Sequence, residues 1–292
     1  CNSLLAHYTN IAATMQTTVV QCLEGLVEGV RGEGTDRALP RDGTVHQQTS
    51  NALIFVQQLQ EYTSTLGLIL VQDAGLRANA SVLLLKTGEQ LSFEQSQALL
   101  AAYIKRVLSN LGLSIVQRSE AYSDTTLRAV FRLNNYNYLL STLLSTGLMA
   151  TLELVETSAR VNYHDLILQQ KKIYSQSWSA LLHYISSQDE PPAAMLSAGK
   201  IRDRDRQILK DKFSGFNKEI EEMQRTQRSY SLPDRKLRDS IKRDNKEFIL
   251  PKYQAFYDRY SNVPFSRNVE KYVKYTPAEV SSLMDKFFDV AA

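Results

Sequence analysis

The sequence has few residues that break helices and few that build metal or redox sites. Only 12 glycines and 7 prolines occur in 292 residues, which favours long helices over many short strands. The two cysteines, Cys1 and Cys22, form no ligand or redox spacing, as is usual in a reducing cytosol. No run approaches the roughly 18–20 apolar residues of a membrane span, so any membrane contact is expected to be peripheral. Because the chain opens without Met inside an amphipathic pattern, we expect a fragment of a longer protein.

Signals of enzymatic chemistry are also missing. The glycines between residues 25 and 34 form neither a phosphate-binding loop nor a dinucleotide fingerprint, because no strand precedes them and no Gly-Lys-Ser/Thr follows. Acidic residues stand at helical spacing among Lys and Arg, which indicates solvated ion pairs. The histidines have no metal-ligand spacing; they are His7, His46, His164 and His183. The sequence therefore predicts a non-enzymatic protein without cofactor or metal.

Apolar residues recur at helical spacing along most of the chain. We predict helices at about 3–30, 45–71, 93–111, 123–145, 148–185, 209–230, 234–260 and 276–288, with an irregular loop at 73–92. Pro251 is expected to kink or split its helix, and Thr276-Pro-Ala-Glu279 is a capping box. The apolar face predicted to be buried in the first helix comprises Leu4, Tyr8, Ile11, Met15, Val19, Leu23, Leu26 and Val30.

These helices predict an all-α chain, an elongated rod of stacked antiparallel helical bundles. The clearest linker is Gln188-Asp-Glu-Pro-Pro192. We therefore divide the chain into a bundle at 1–120, a helical hairpin or bundle at 121–192 and a basic bundle at 193–292.

An asparagine-rich run stands inside one predicted helix. Asn134 and Tyr138 continue the inner face of Leu127 and Phe131, and a buried Asn must find hydrogen-bond partners. We favour a structural polar clamp between adjacent bundles over a ligand site.

Charge is unevenly distributed along the chain. Residues 200–292 hold 21 Lys+Arg against 15 Asp+Glu, whereas residues 1–199 hold 13 against 16. The charges of the helix at 209–230, Lys210 and Lys212 among them, alternate in sign and indicate a solvated face. Near the carboxyl end, by contrast, Arg267, Lys271 and Lys274 are interleaved with tyrosines. Such a pattern suits an anionic lipid surface or nucleic acid, and a merely solvated surface stays possible.

The carboxyl-terminal residues resemble a known family. The run Val263-Pro-Phe-Ser-Arg-Asn-Val-Glu-Lys-Tyr-Val-Lys-Tyr275 and the closing Phe287-Phe-Asp289 are similar to the end of the seventy-kilodalton exocyst subunit family. Three further stretches match in the same order, so that the resemblance covers about residue 40 to the end. They are Gly43-Thr-Val-His46 with Thr49-Ser-Asn-Ala52, Asn134-Asn-Tyr-Asn-Tyr138, and Lys212-Phe-Ser-Gly-Phe-Asn217.

The resemblance implies a subunit of the complex that tethers secretory vesicles to the plasma membrane. It implies peripheral location at the inner face of that membrane and partners among other exocyst subunits, Rho-family small GTPases and phosphatidylinositol 4,5-bisphosphate, with nucleic acid not expected. Lys271 and Lys274 match the family's lipid-binding basic positions, and Arg267 flanks them. The alternative is a purely protein-binding helical scaffold whose basic end contacts acidic partners.

Overall fold

A computed structural model describes residues 2–32, 39–83, 89–186 and 201–289. Within these ranges all regular secondary structure is helical, which confirms the prediction of an all-α chain. The α-helices are α1 (Asn2–Arg31), α2 (Gln47–Leu59), α3 (Thr63–Leu70), α4 (Ala74–Ala80), α5 (Phe93–Ser119), α6 (Thr125–Ser145), α7 (Leu148–Glu153), α8 (Ala159–Ser175), α9 (Ser179–Ile185), α10 (Asp203–Gln227), α11 (Arg235–Tyr260) and α12 (Pro277–Asp285).

The chain packs as two compact units. Unit 1 comprises Cys1–Pro40, Val45–Ser123 and Phe131–Leu168, and unit 2 comprises Arg41–Thr44, Asp124–Val130 and Gln169–Ala292. The division at 120 and 192 stays a prediction, and the expected linker at 188–192 lies outside the described residues.

Helix α5 forms the centre of unit 1. Its residues from Leu99 to Ile104 are at most 3% exposed. The helix is long and apolar enough to span a membrane, but 61% of its most apolar window is buried in the protein, which is typical of a core helix. It extends past the predicted end at 111 through Gly112, because a single glycine lowers helix stability by only about 1 kcal/mol.

Only two of the eight residues of the predicted apolar face of α1 are buried. Leu23 and Val30 are 5% and 2% exposed, and Leu23 O accepts a 2.8 Å hydrogen bond from the Tyr103 hydroxyl of α5. The expectation for the first half of the face was wrong: Leu4, Tyr8, Ile11 and Met15 are more than half exposed. Helical periodicity shows that one face is apolar, whereas burial also needs an opposing element.

Two further expectations are wrong. Residues 73–92 are not one irregular loop, since Asp73 caps α4 by accepting a 3.0 Å hydrogen bond from Leu76 N. The single helix expected at 148–185 is interrupted at 154–158 and by a 3₁₀ turn at 176–178. At the first break, Asn162 N donates a hydrogen bond to Ser158 O. Asn162 Nδ2 donates to both Ser158 Oγ and Glu156 Oε1. Polar side chains of this kind compete with helical hydrogen bonds and begin a new helix instead.

The polar clamp lies within unit 1 and is formed by Asn135. Its Oδ1 accepts hydrogen bonds from His46 N at 3.1 Å and Thr49 Oγ1 at 2.7 Å, and its Nδ2 donates to Phe131 O at 2.8 Å. Asn134 is also buried, at 3% exposure. The clamp therefore ties the start of α2 to α6.

A chain of buried hydrogen bonds crosses unit 2. Trp178 Nε1 donates to Asn245 Oδ1 at 3.0 Å, Asn245 Nδ2 donates to the Tyr174 hydroxyl at 3.0 Å, and that hydroxyl donates to Gln227 Oε1 at 2.6 Å. Gln227 is a buried polar residue of α10, at 3% exposure, and this network satisfies its side-chain oxygen. Phe287 stacks on Trp178 with ring centroids 5.6 Å apart, and Phe288 contacts the Tyr174 ring at 6.1 Å. The same unit buries further aromatic residues: Phe213, Phe216, Tyr253, Tyr260 and Phe265.

Helix boundaries near the carboxyl end follow their local signals. Thr276 and Glu279 form the expected capping box of α12, with Pro277 at the first helical position. Helix α11, however, continues through Pro251 to Tyr260, so Pro251 does not split the helix, and a kink at this residue stays a prediction. Tyr253 and Phe256 beyond the proline are buried in the aromatic core, and this packing offsets the lost hydrogen bond.

Candidate anion-binding surface

The segment 261–276, which joins α11 to α12 in unit 2, carries all three predicted site residues. It has no regular helix but is fixed to the core by aromatic packing. Phe265 is fully buried and stacks on Phe213 of α10 with ring centroids 5.6 Å apart, and Tyr272 meets Phe265 edge-on at 5.9 Å. The segment therefore has a fixed inner side, and its remaining side chains face solvent.

Hydrogen bonds set the register of the segment. Asn217 Nδ2 of α10 donates to Tyr272 O at 2.8 Å, and the Tyr253 hydroxyl of α11 donates to Tyr275 O at 2.6 Å. A turn at residues 269–273 leads into this stretch, with Val273 N donating to Val269 O at 2.9 Å. Both ends of the stretch Tyr272–Tyr275 are thus held by buried helices.

Two of the predicted cations are exposed and uncompensated. Arg267 and Lys271 lie on the solvent side of the segment, with the acidic Glu270 next to Lys271 in sequence. Among the ion pairs of the described residues none involves Arg267 or Lys271. The Lys271 ammonium stands 5.9 Å from the centroid of the Tyr272 ring.

A fourth cation, which the sequence interpretation left out, stands over the same ring. Lys210 Nζ of α10 is also 5.9 Å from the Tyr272 centroid. Its spacing from Phe213 and Asn217, which hold the segment, is three and seven residues, so it lies on the same helix face. That spacing was the available signal. We define the Tyr272 cluster as Lys210, Lys271 and Tyr272; Arg267 is exposed on the same segment.

Lys274 is arranged differently from the other cations. Its ammonium donates to Glu221 Oε1 of α10 at 2.7 Å, and the Tyr275 hydroxyl donates to the same oxygen at 2.9 Å. The hydrogen bond from Lys274 holds the pKa of the Glu221 carboxyl below its usual value, and the same contact raises the pKa of Lys274. An anion that binds Lys274 must therefore compete with an internal carboxylate.

The charges of α10 are not all on a solvated face. Lys212 is only 8% exposed, and its ammonium donates to Ser186 O at 2.8 Å. The solvated-face interpretation was wrong for this residue, because a long side chain can bury its methylene groups while its ammonium finds a carbonyl. Lys212 therefore stabilises unit 2 and is not part of the exposed surface.

Together the segment and α10 form an exposed basic surface around one aromatic ring. Fixed backbone positions place two cations, Lys210 and Lys271, beside Tyr272, and neither forms an ion pair within the described ranges. Arg267 is exposed on the same segment, and Lys274 lies beside Glu221. Such a surface can hold a multivalent anion by charge and by hydrogen bonds from the ammonium and guanidinium groups.

Comparison with known proteins shows the family of the chain. The family model that describes the C-terminal part of the Exo70 exocyst complex subunit matches residues 1–286. The chain is 40% identical over 283 residues to exocyst complex component 7 of Drosophila melanogaster, a match that covers 95% of this chain and 40% of the relative. Identity to exocyst complex component 7 of Homo sapiens is 34%, covering 97% of this chain and 37% of the relative. The chain thus spans about two fifths of the length of these relatives.

Solved structures of low identity show the same fold. A structure of S. cerevisiae Exo70 superposes with a TM-score of 0.60 at 18% identity, covering 93% of this chain and 51% of that one. A second S. cerevisiae Exo70p structure gives a TM-score of 0.57, covering 98% and 54%. Because the family model matches residues 1–286 of the 292 in this chain, the chain belongs to the family of C-terminal regions of the Exo70 exocyst complex subunit.

Proposed function

We propose that the chain is part of a non-enzymatic exocyst subunit that tethers secretory vesicles to the plasma membrane, with the Tyr272 cluster as its membrane contact. Family membership supports the tethering role. The observation that carries the site is the grouping of Lys210 and Lys271 around Tyr272 without ion pairs among the described residues. Other exocyst subunits and a Rho-family GTPase are the proposed protein partners, at the cytoplasmic face of the membrane.

The proposed ligand is phosphatidylinositol 4,5-bisphosphate. Its headgroup carries several negative charges, so that two or more cations of one surface engage it at once. Each Lys or Arg near an anionic membrane surface contributes about 1 kcal/mol, and binding weakens as salt screens the charges. Lys271 and Lys274 were the predicted pair. We propose that Lys271, Lys210 and Arg267 meet the headgroup first and that Lys274 joins once Glu221 releases it.

Co-sedimentation with liposomes tests this function. We expect binding to liposomes that contain phosphatidylinositol 4,5-bisphosphate, weaker binding to phosphatidylcholine alone, and a much smaller difference between the two in Lys271→Ala/Lys274→Ala. Lys236→Ala is the matched control, because Lys236 is an exposed lysine in the first turn of α11. Circular dichroism checks that each variant keeps its helices. Equal sedimentation of the double variant and the wild type would remove the site assignment.

A second variant tests the role of Glu221. Glu221→Gln keeps the shape of the side chain but removes the charge that holds Lys274, so we expect severalfold tighter lipid binding than wild type. Unchanged binding would mean that Lys274 takes no part. Binding to acidic peptides but not to lipid would favour the scaffold alternative instead, and binding to an oligonucleotide of equal charge would point to nucleic acid.

A further inference from the structure

Helix α5 of unit 1 leaves an apolar stripe uncovered by the described residues. Leu113 and Val116 are 69% and 40% exposed although the helix is otherwise the core of the unit. They lie on one face with Ser109 and Gly112, at spacings of three and four residues. We call Leu113 and Val116 the α5 ridge.

An apolar cavity of about 300 Å³ opens on one side of the ridge. Gly112 forms part of its wall, and a Cβ atom added there would meet nothing within 4 Å. At the edge, Lys105 and Glu156 form a 3.7 Å ion pair, and Asn162 donates to Glu156 at 3.0 Å, so these polar groups satisfy one another. The other wall residues offer apolar surface and include Leu108, Tyr136, Leu139, Leu152, Tyr163 and Leu166.

The other side of the same ridge is basic. A cavity of about 590 Å³ is lined by Arg31 and Arg118 with Asn110 and Gln117, and no carboxylate of the described residues lines it. Arg118 Nε donates to Ser114 Oγ at 3.1 Å, and in the described part of the chain neither arginine forms an ion pair. An apolar cavity and a positive one therefore flank the ridge.

We propose that this face binds an amphipathic helix of a partner protein. Apolar side chains of that helix enter the apolar cavity at Gly112, and its acidic side chains meet Arg31 and Arg118. An amphipathic helix presents apolar anchors at every third or fourth residue, which fits a ridge with a cavity beside it. The two arginines favour acidic residues on the flank of that helix, because basic residues at the same positions would be repelled by the two arginines. The site lies in unit 1 and is independent of the Tyr272 cluster.

Selection from a displayed library of helical peptides tests the proposal on the whole 292-residue chain. Peptides that bind the wild type are selected, and those that also bind Gly112→Leu are removed, because the leucine side chain fills the apolar cavity. Gly112→Ala is the folding control, because it adds helix propensity without a clash. Leu113→Ser is a second blocking variant, and it replaces a side chain too exposed to support the fold.

The proposal expects enriched peptides with apolar residues at helical spacing and a net negative flank. Their affinity, measured by fluorescence anisotropy, should fall at least tenfold for Gly112→Leu and for Leu113→Ser. Arg31→Gln/Arg118→Gln should lower it severalfold at low salt and by less at 1 M salt. The proposal is wrong if no peptide binds the wild type in preference to Gly112→Leu, or if the selected peptides are neutral or basic. It is also wrong if neither blocking variant lowers the affinity of the selected peptides.

Discussion

Replacing Asn135 by Leu tests whether the clamp in unit 1 stabilises the fold. The substitution keeps the size of the side chain but removes the oxygen that accepts from His46 N and Thr49 Oγ1. Asn135 is fully buried and His46 is 4% exposed, so water does not replace the lost acceptor. A buried donor left without a partner costs about 1–3 kcal/mol. With two donors affected and some apolar burial gained by Leu, we expect a loss of about 2–4 kcal/mol in the free energy of unfolding.

Urea unfolding monitored by circular dichroism measures that loss, and hydrogen exchange locates it. We expect faster exchange at the start of α2, where the His46 amide lies, with little change in unit 2. Asn137→Ala is the control, since Asn137 is half-buried on the same helix. Thr49→Val removes one donor instead of the acceptor and should cost about 1 kcal/mol, less than additive with Asn135→Leu. A loss below about 0.5 kcal/mol for Asn135→Leu would refute the clamp as a stabilising element.

Three other predictions concern helix packing, the buried network and an ion pair. Gly112→Ala should stabilise the protein by about 0.5–1 kcal/mol. Gly215→Ala should destabilise it by about 1–3 kcal/mol, because the added Cβ would overlap the ring of Tyr184 in α9. Equal urea midpoints of unfolding for the two variants would contradict this contrast. Asn245→Leu should lower stability by about 2 kcal/mol or more in urea unfolding, since two buried hydrogen bonds are lost. By carboxyl NMR, the pKa of Glu221 should lie below its usual value and rise toward it in Lys274→Ala. The pair's favourable contribution is therefore present above the unfolded-state pKa and lost as pH falls through the lower folded-state pKa; a Glu221 titration unaffected by Lys274→Ala would exclude the contact.

Local signals predicted the elements whose structure is decided locally. The capping box at Thr276 lies where the sequence places it. Asp124 caps α6 by accepting a hydrogen bond from Thr126 N at 2.8 Å, next to the start predicted for that helix at 123. Gly147 ends α6 with a φ of 78°, a conformation that glycine adopts without strain. Such features depend on a few neighbouring residues.

Features that depend on distant contacts were not predictable. The first half of α1 carries the same periodicity as its buried half, but the described residues leave Tyr8 and Met15 exposed. The clamp was expected at Asn134, but Asn135 forms it. Which of two adjacent side chains points inward depends on how the neighbouring helices pack against α6. The contact between Glu221 and Lys274 joins residues 53 positions apart, and nothing near Lys274 in sequence signals it.

The Tyr272 cluster shows the same limit at the candidate site. Arg267, Lys271 and Lys274 were selected because they alternate with tyrosines in one segment. Lys210 was left among the solvated charges of α10, because its position over Tyr272 is set only once Phe213 and Phe265 stack. The sequence thus indicated the segment 261–276, whereas the position of Lys210 beside it depends on how α10 packs against that segment.

Membrane partitioning of Lys210→Ala/Lys271→Ala tests the central claim most directly. At about 1 kcal/mol for each cation, the loss of both should lower the partition coefficient on liposomes containing phosphatidylinositol 4,5-bisphosphate by roughly 30-fold. Lys236→Ala should match the wild type, and raised salt should shrink the difference. Should the double variant partition like Lys236→Ala at low salt, the Tyr272 cluster would not be the membrane contact.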